Sequence, residues 1–157
     1  METVSIEEGN PDNRSTFHRA GKVIYYSTDP NVDKEQDNKG YEYVDKGWGS
    51  EKIIINTPWY CGKILHIDKD KSCSMHMHRD KHETFHVIEG SMILTTIDTK
   101  TAEKIANYLY EGDTFVLPPM TPHKFTTIDV TGCTFIEFST NDLPSDSYRV
   151  EKGDSQK

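Results

Sequence analysis

The sequence predicts an all-β protein, a small barrel of short antiparallel strands, and three observations lead there. From Glu51 onward, short segments rich in β-branched and aromatic residues recur with turn-forming residues between them, the signature of a sandwich or barrel. The hydrophobic fraction is 34%, which suits strands that need apolar residues on one face only and leave the other wet. The length, 157 residues, predicts one domain, large enough to close a single core without disulfide staples.

Taken in order, residues 1 to 20 are polar, acidic and aperiodic, which predicts a flexible lead-in. Val23 to Tyr26 reads as a short strand, and the charged stretch from Asp29 to Lys39, broken by Pro30 and closed by Gly40, reads as a loop. Tyr41 to Val44 reads as an edge strand. The barrel strands are then expected at Lys52–Asn56, Tyr60–Ile67, Cys73–His78, Thr84–Ile88, Met92–Asp98, Lys104–Tyr110, Thr114–Leu117, Lys124–Ile128 and Cys133–Ser139. Between them lie Asp68–Lys71, Asp98–Thr101 and Asp129–Gly132, rich in side chains that bond their own backbone in turns. Ala102 to Leu109 is the one window with helical potential, and its strand-like neighbours decide it as strand. The chain is thus expected to divide into an N-terminal extension with an edge strand (1–40), a barrel (41–150) and a flexible tail (151–157).

Charge and apolar runs exclude several function classes. A net charge of -8 argues against a nucleic-acid binder, which needs a basic patch. No continuous apolar run approaches the roughly 20 residues that cross a bilayer, so no membrane partner is expected. The N-terminus Met1-Glu-Thr-Val-Ser-Ile-Glu-Glu8 lacks the basic and apolar regions of a signal peptide, which predicts a cytoplasmic protein. Cys61, Cys73 and Cys133 are too scattered for a disulfide framework or a thiolate cluster and are expected as free thiols.

The chemistry concentrates in His76-Met-His78-Arg-Asp-Lys-His82-Glu83. Alternate side chains of a strand share a face, so His76 and His78 point one way while Met75 and Met77 point the other and pack. Arg79 to His82 can turn the chain into a second strand, on which Glu83, Phe85, Val87 and Glu89 share one face. A hairpin therefore brings Glu83 beside His76 and His78. His123 follows Pro118, Pro119 and Pro122, which end one strand and hold the chain for the next, and it is expected as a fourth ligand from a third strand. His82 and His86 fall on the opposite face by the same parity, and His66 is not assigned to either. Imidazole nitrogen with one carboxylate suits a single divalent transition metal, Mn²⁺, Fe²⁺, Co²⁺, Ni²⁺ or Zn²⁺, better than the all-oxygen cages of Ca²⁺ and Mg²⁺. Trp48 and Trp59 are expected to cover an end of the barrel.

The pattern His76-x-His78, four residues, Glu83, six residues, Gly90 resembles the first cupin motif. Gly112, five residues, Pro118 and then His123 resembles the second, with Met120 where the family usually has glycine. Residues 70 to 127 carry this likeness, which implies a double-stranded β-helix, or jelly-roll-like, barrel and commonly a homodimer. Uncovered edge strands favour pairing on physical grounds as well. A second resemblance extends in both directions. Trp48-Gly49-Ser50-Glu51, Gly62-Lys63-Ile64, Ser74 to Phe85, Ile136-Glu137-Phe138-Ser139 and Asp146-Ser147-Tyr148-Arg149 are similar to the type II phosphomannose isomerase domain. Lys81 falls where those isomerases carry arginine, and His76 where they usually carry glutamine.

That likeness implies aldose-ketose isomerisation of a sugar or sugar phosphate, a metal-assisted proton shift between C1 and C2. Lys81 and Glu83 are the catalytic candidates. A ligating Glu83 is compromised as a base, which leaves Lys81, whose pKa burial would have to depress, or a metal-bound hydroxide. Lys63, Arg79, Lys81, Phe85 and Arg149 are the candidates for binding the substrate, the cations because ammonium and guanidinium both hold phosphate. An Fe(II)-dependent dioxygenase and a sugar-binding protein without turnover are the alternatives, since the same four ligands serve all three.

Overall fold

The computed structural model describes residues 42–156 without a break, with side chains from Tyr43 onward, and upstream of these the backbone of three strands. The chain divides into two compact units, residues 1–41 and 42–157. In the first, strands β1 (Ser15–Arg19), β2 (Lys22–Tyr26) and β3 (Glu35–Gln36) form an antiparallel sheet in that order. β2 contains the strand expected at Val23. β1 lies within the expected lead-in, where Phe17 pairs with Ile24, and β3 lies within the expected loop. The rest of those two expectations falls outside the described residues.

The second unit is all β, a curled antiparallel sheet. Its strands are β4 (Glu42–Lys46), β5 (Gly49–Asn56), β6 (Cys61–Ile67), β7 (Met75–Met77), β8 (Glu83–Ile97), β9 (Lys104–Tyr110), β10 (Thr114–Leu117), β11 (His123–Thr127), β12 (Cys133–Ser139) and β13 (Tyr148–Glu151). Alternation does what the sequence asks of it: along β6 and β11 every second residue is buried. The strand preference over helix for Ala102 to Leu109 is correct, and Lys104–Tyr110 pairs with Ser91–Ile97.

One difference from expectation organises the whole unit. The strands expected at Thr84–Ile88 and Met92–Asp98 are a single fifteen-residue strand, β8. Its first half pairs with β10 and β12, and its second half with β9 and β11. Glu83, Phe85 and Val87 face inward, and so do Met92, Leu94 and Thr96, although an odd number of steps separates Val87 from Met92. A bulge supplies the missing step, since Thr134 pairs with Glu89 and the next residue, Phe135, with Val87. Glu89 is thereby turned out to solvent, not onto the face of Glu83 as parity alone expects. Gly90 completes the bend at φ +82, with the Gly132 carbonyl oxygen only 2.4 Å from where a Cβ would stand.

The core lies on the concave face. Phe85, Phe125 and Phe135 meet edge to face, with ring centroids 5.2 Å apart for Phe85–Phe135 and 5.3 Å for Phe125–Phe135. Trp48 packs on Phe125 at 4.9 Å. Trp59 does not join it and stands exposed. Within the segment expected as a flexible tail, 151–157, Glu151 pairs with Met75 at the end of β13, Asp154 Oδ2 accepts the Ser72 N–H at 2.8 Å, and Ser155 Oγ accepts the Gly47 N–H at 3.0 Å. The three cysteines are free and buried. Burial pushes the Cys61 thiol up to about 11 and those of Cys73 and Cys133 to about 12, so none is a thiolate at neutral pH. No helix among the described residues is long and apolar enough to cross a membrane.

Candidate metal centre

β11 lies between β8 and β7, so His123 pairs at once with Thr96 and His76. That register brings His76, His78 and His123 together from two strands, and their ligand atoms all lie within 4.8 Å of one another. Each ring is fixed from behind. Nδ1 of His76 meets the Ser74 carbonyl at 2.9 Å, Nδ1 of His78 the Asp146 carbonyl at 2.8 Å, and Nδ1 of His123 the Thr121 carbonyl at 2.9 Å. A carbonyl only accepts, so each Nδ1 must carry the proton and each Nε2 presents its lone pair. Burial lowers the pKa of His123 and takes that of His76 down to about 3, which keeps both neutral, the form that ligates metal. Nε2 of His123 is buried without a hydrogen-bond partner, a cost that a metal ion would remove. The residues therefore fit a metal, and the backbone carbonyls are the outer contacts such a site needs.

Glu83 stands beside this trio, not equally within it. Its Oε2 is 3.4 Å from His123 Nε2 and its Oε1 is 3.6 Å from His78 Nε2, while Oε1 also takes the Lys81 ammonium at 3.0 Å. Burial opposes its ionisation, but the Lys81 ammonium beside it holds its carboxyl below the usual range. The turn that delivers Glu83 is held by Asp146, whose carboxylate accepts the backbone N–H groups of Arg79, Asp80 and Lys81 at 2.9, 3.1 and 3.0 Å. Asp146 thus clamps the turn with its side chain and His78 with its carbonyl.

The trio opens onto a cavity of about 430 Å³ whose lining includes Lys63, Lys81, Phe85 and Arg149 from the expected substrate residues. Arg79 does not line it, because its guanidinium lies outside on Asp80 at 2.7 Å. Lys81 is buried, and burial alone would lower its pKa, but Glu137, Glu83 and Asp142 together raise it. A general base needs the opposite shift, so the expected catalytic role of Lys81 as base fails on electrostatics. Lys63 joins the same network, 2.6 Å from Asp142 and 3.8 Å from Glu51. His82 is exposed, His86 meets Thr114 Oγ1 at 2.9 Å on the outer face, and the unassigned His66 meets Thr134 Oγ1 at 2.9 Å on the same face.

Sequence reasoning missed Glu137 and Asp142 as members of the site. Glu137 had a signal: on β12 it shares a face with Cys133 and Phe135, so parity alone turns it inward. Asp142 lies in the loop before a short 3₁₀ turn, Pro144–Asp146, and no local pattern marks it.

Residues 50–152 match the family model described as Cupin. No curated protein matches the chain. Among solved structures, oxalate decarboxylase from Bacillus subtilis is similar at a TM-score of 0.63 and 15% identity, covering 70% of this chain and 30% of that one. The capsular polysaccharide assembling protein CapF from Staphylococcus aureus is similar at 0.65 and 19% identity, covering 79% of this chain and 33% of that one. The chain thus spans about a third of the length of these structures, and at such identities the likeness is one of fold.

Proposed function

The chain belongs to the cupin family, and from that premise we propose that it is a metal-dependent isomerase interconverting the aldose and ketose forms of a sugar or sugar phosphate. The observation that supports this most is a single cavity lined both by three clustered imidazoles and by the buried carboxylates Glu83 and Glu137. Isomerisation transfers a proton between C2 and C1 and needs a polarised carbonyl beside a carboxylate base. A divalent ion held by His76, His78 and His123, with Glu83 adjacent, would polarise that carbonyl and hold two neighbouring sugar oxygens.

The chain's own residues supply the rest. Lys81, kept protonated, fixes Glu83, Glu137 and Asp142 and offsets their charge. Glu137 is the base in this reading: both of its hydrogen bonds fall on Oε1, from Lys81 and from Ser139 Oγ, which leaves Oε2 to take the C2 proton and return it at C1, while the hydroxyl proton of O2 passes to O1 through the enediol. Phe85 lines the floor and excludes water. A dicarboxylate such as oxalate is ill suited to a wall of carboxylates, so the likeness to oxalate decarboxylase is not extended to substrate.

The test is incubation of metal-loaded protein in D₂O with unphosphorylated aldoses, mannose 6-phosphate and fructose 6-phosphate, under argon. The expected result is aldose-ketose interconversion, with deuterium entering at C1 of a ketose product and at C2 of an aldose product. No interconversion with Mn²⁺, Co²⁺, Ni²⁺ or Zn²⁺, or turnover only when oxygen is admitted, overturns the reading.

A further inference from the structure

The buried lysines look at first like a phosphate site, but the donors of Lys81, the lysine beside Glu83, are already spent. Lys81 Nζ carries three protons and meets three carboxylates, Glu137 at 2.5 Å, Glu83 at 3.0 Å and Asp142 at 3.0 Å. Lys63 Nζ is bonded to Asp142 at 2.6 Å and is held in ion-pair range, not hydrogen-bond range, of Glu51 at 3.8 Å and Glu137 at 3.9 Å, so its charge is offset by three carboxylates. Lys46, on the same wall, faces Glu51 at 3.4 Å. A phosphate group accepts hydrogen bonds and donates almost none at neutral pH. In this cavity it would find no free ammonium proton on Lys81 and would have to sit against like-charged carboxylate oxygens, which is unfavourable in a site of low dielectric.

The hydrogen-bonding capacity left facing the cavity is of the other kind. Glu137 spends Oε1 on Lys81 and Ser139, Asp142 divides its oxygens between the two lysines, and each carboxylate oxygen has a second lone pair. Carboxylate lone pairs accept from hydroxyl groups, and a chain of hydroxyls both donates to them and accepts from solvent at the mouth. Arg149 is the lining cation with no carboxylate in ion-pair range among the described residues, and it stands opposite His76 on the exposed strand β13, where water screens its charge.

We infer that the cavity selects an unphosphorylated polyhydroxy ligand the size of an open-chain monosaccharide, with Glu137 and Asp142 as its hydroxyl anchors. This deepens the isomerase reading and rests on it for the reaction, while the ligand preference follows from the pairing of the lysines. Proton count at Lys81 sets the specificity: the network that keeps it charged also keeps it from an anionic substrate.

The experiment is calorimetric titration of the Mn²⁺-loaded protein with mannitol, sorbitol and xylitol, and with mannitol 1-phosphate and sorbitol 6-phosphate. None of these has a carbonyl, so binding is read apart from turnover. The expected result is that each parent polyol binds at least about tenfold more tightly than its phosphate ester, and that inorganic phosphate does not displace it. Equal or tighter binding of the esters, or no binding of any polyol, overturns the inference. The Glu137→Gln variant, with metal stoichiometry as the check on folding, should weaken polyol binding about tenfold and narrow the gap to the ester; Asp142→Asn provides the same comparison should Glu137→Gln not fold. An unchanged gap in a folded variant removes that residue as an anchor. The two proposals fail separately: sugars that bind without interconverting sink the isomerase alone, and interconversion confined to sugar phosphates sinks the ligand preference alone.

Discussion

Lys81 shows how a single side chain can be recognised in a sequence and still be misjudged. Its place in the turn before Glu83 marks it for the site, but its role depends on Glu137 and Asp142, which lie 56 and 61 positions later and meet it only in the folded chain. Three carboxylates around one buried ammonium make the pair count unforgiving. Lys81→Met removes the cation that, among the described residues, touches all three and leaves them with Lys63, so we expect a loss of about 3–5 kcal/mol in unfolding free energy, read by urea titration. A loss below about 1 kcal/mol would show that the network is not the buried cluster described. The metal ligands were more legible than the charge network because strand parity fixes His76 and His78 locally, and the spacing of Gly112 and Pro118 before His123 marks the third. Met120 belongs to the same scale: it sits at φ +62, in the left-handed region where the cupin pattern has glycine, and donates its N–H to the His78 carbonyl at 2.7 Å.

β8 is the element that joins the two halves of the sheet, and its bend is what lets one strand carry both Glu83 and the partner register of His123. Alternation predicts two strands with a turn at Glu89-Gly90, and the chain keeps pairing through that point because a bulge and a glycine turn it without breaking the ladder. The individual segments were therefore readable, while their continuity was not, since a bulge is visible only against its partner strand. Gly90→Ala would place a methyl group 2.4 Å from the Gly132 carbonyl oxygen at a φ of +82, so we expect a fall in stability of about 2–4 kcal/mol. Thermal unfolding would register this, and a melting temperature unchanged by the substitution would contradict the bend as described. β13 was missed for a related reason: Tyr148 to Glu151 alternates apolar and charged residues over only four positions, all exposed, and it becomes a strand by pairing with β7.

At the scale of the whole molecule, the fold class was legible because the recurrence of short strands repeats down the chain, while the cavity was not, because its walls come from β4, β5, β6, β7, β8, β11, β12 and β13 and the loop after β12. The cavity's electrostatics also set how the protein responds to acid. Burial holds the folded pKa of His76 at about 3 against 6.5, so its share of stability is complete above pH 6.5 and drains away as pH falls toward 3. Although burial alone would raise it, Lys81 and Lys63 hold that of Asp142 at about 2 against 3.8, so its share is complete above pH 3.8 and is lost as pH falls toward 2. We expect the unfolding free energy of the metal-free protein to decline below pH 6.5 and to decline further below pH 3.8; a flat profile from pH 7 to pH 4 would contradict the burial of His76. The account as a whole stands on the three histidines presenting their Nε2 atoms to one ion. Metal analysis after dialysis of the apo-protein against Mn²⁺, Co²⁺ or Zn²⁺ tests that most directly, with His123→Ala measured alongside. The structure predicts one ion per chain in the wild type and a large loss of binding in the variant, and a wild type that retains no ion, or a variant that retains the full complement, would contradict it.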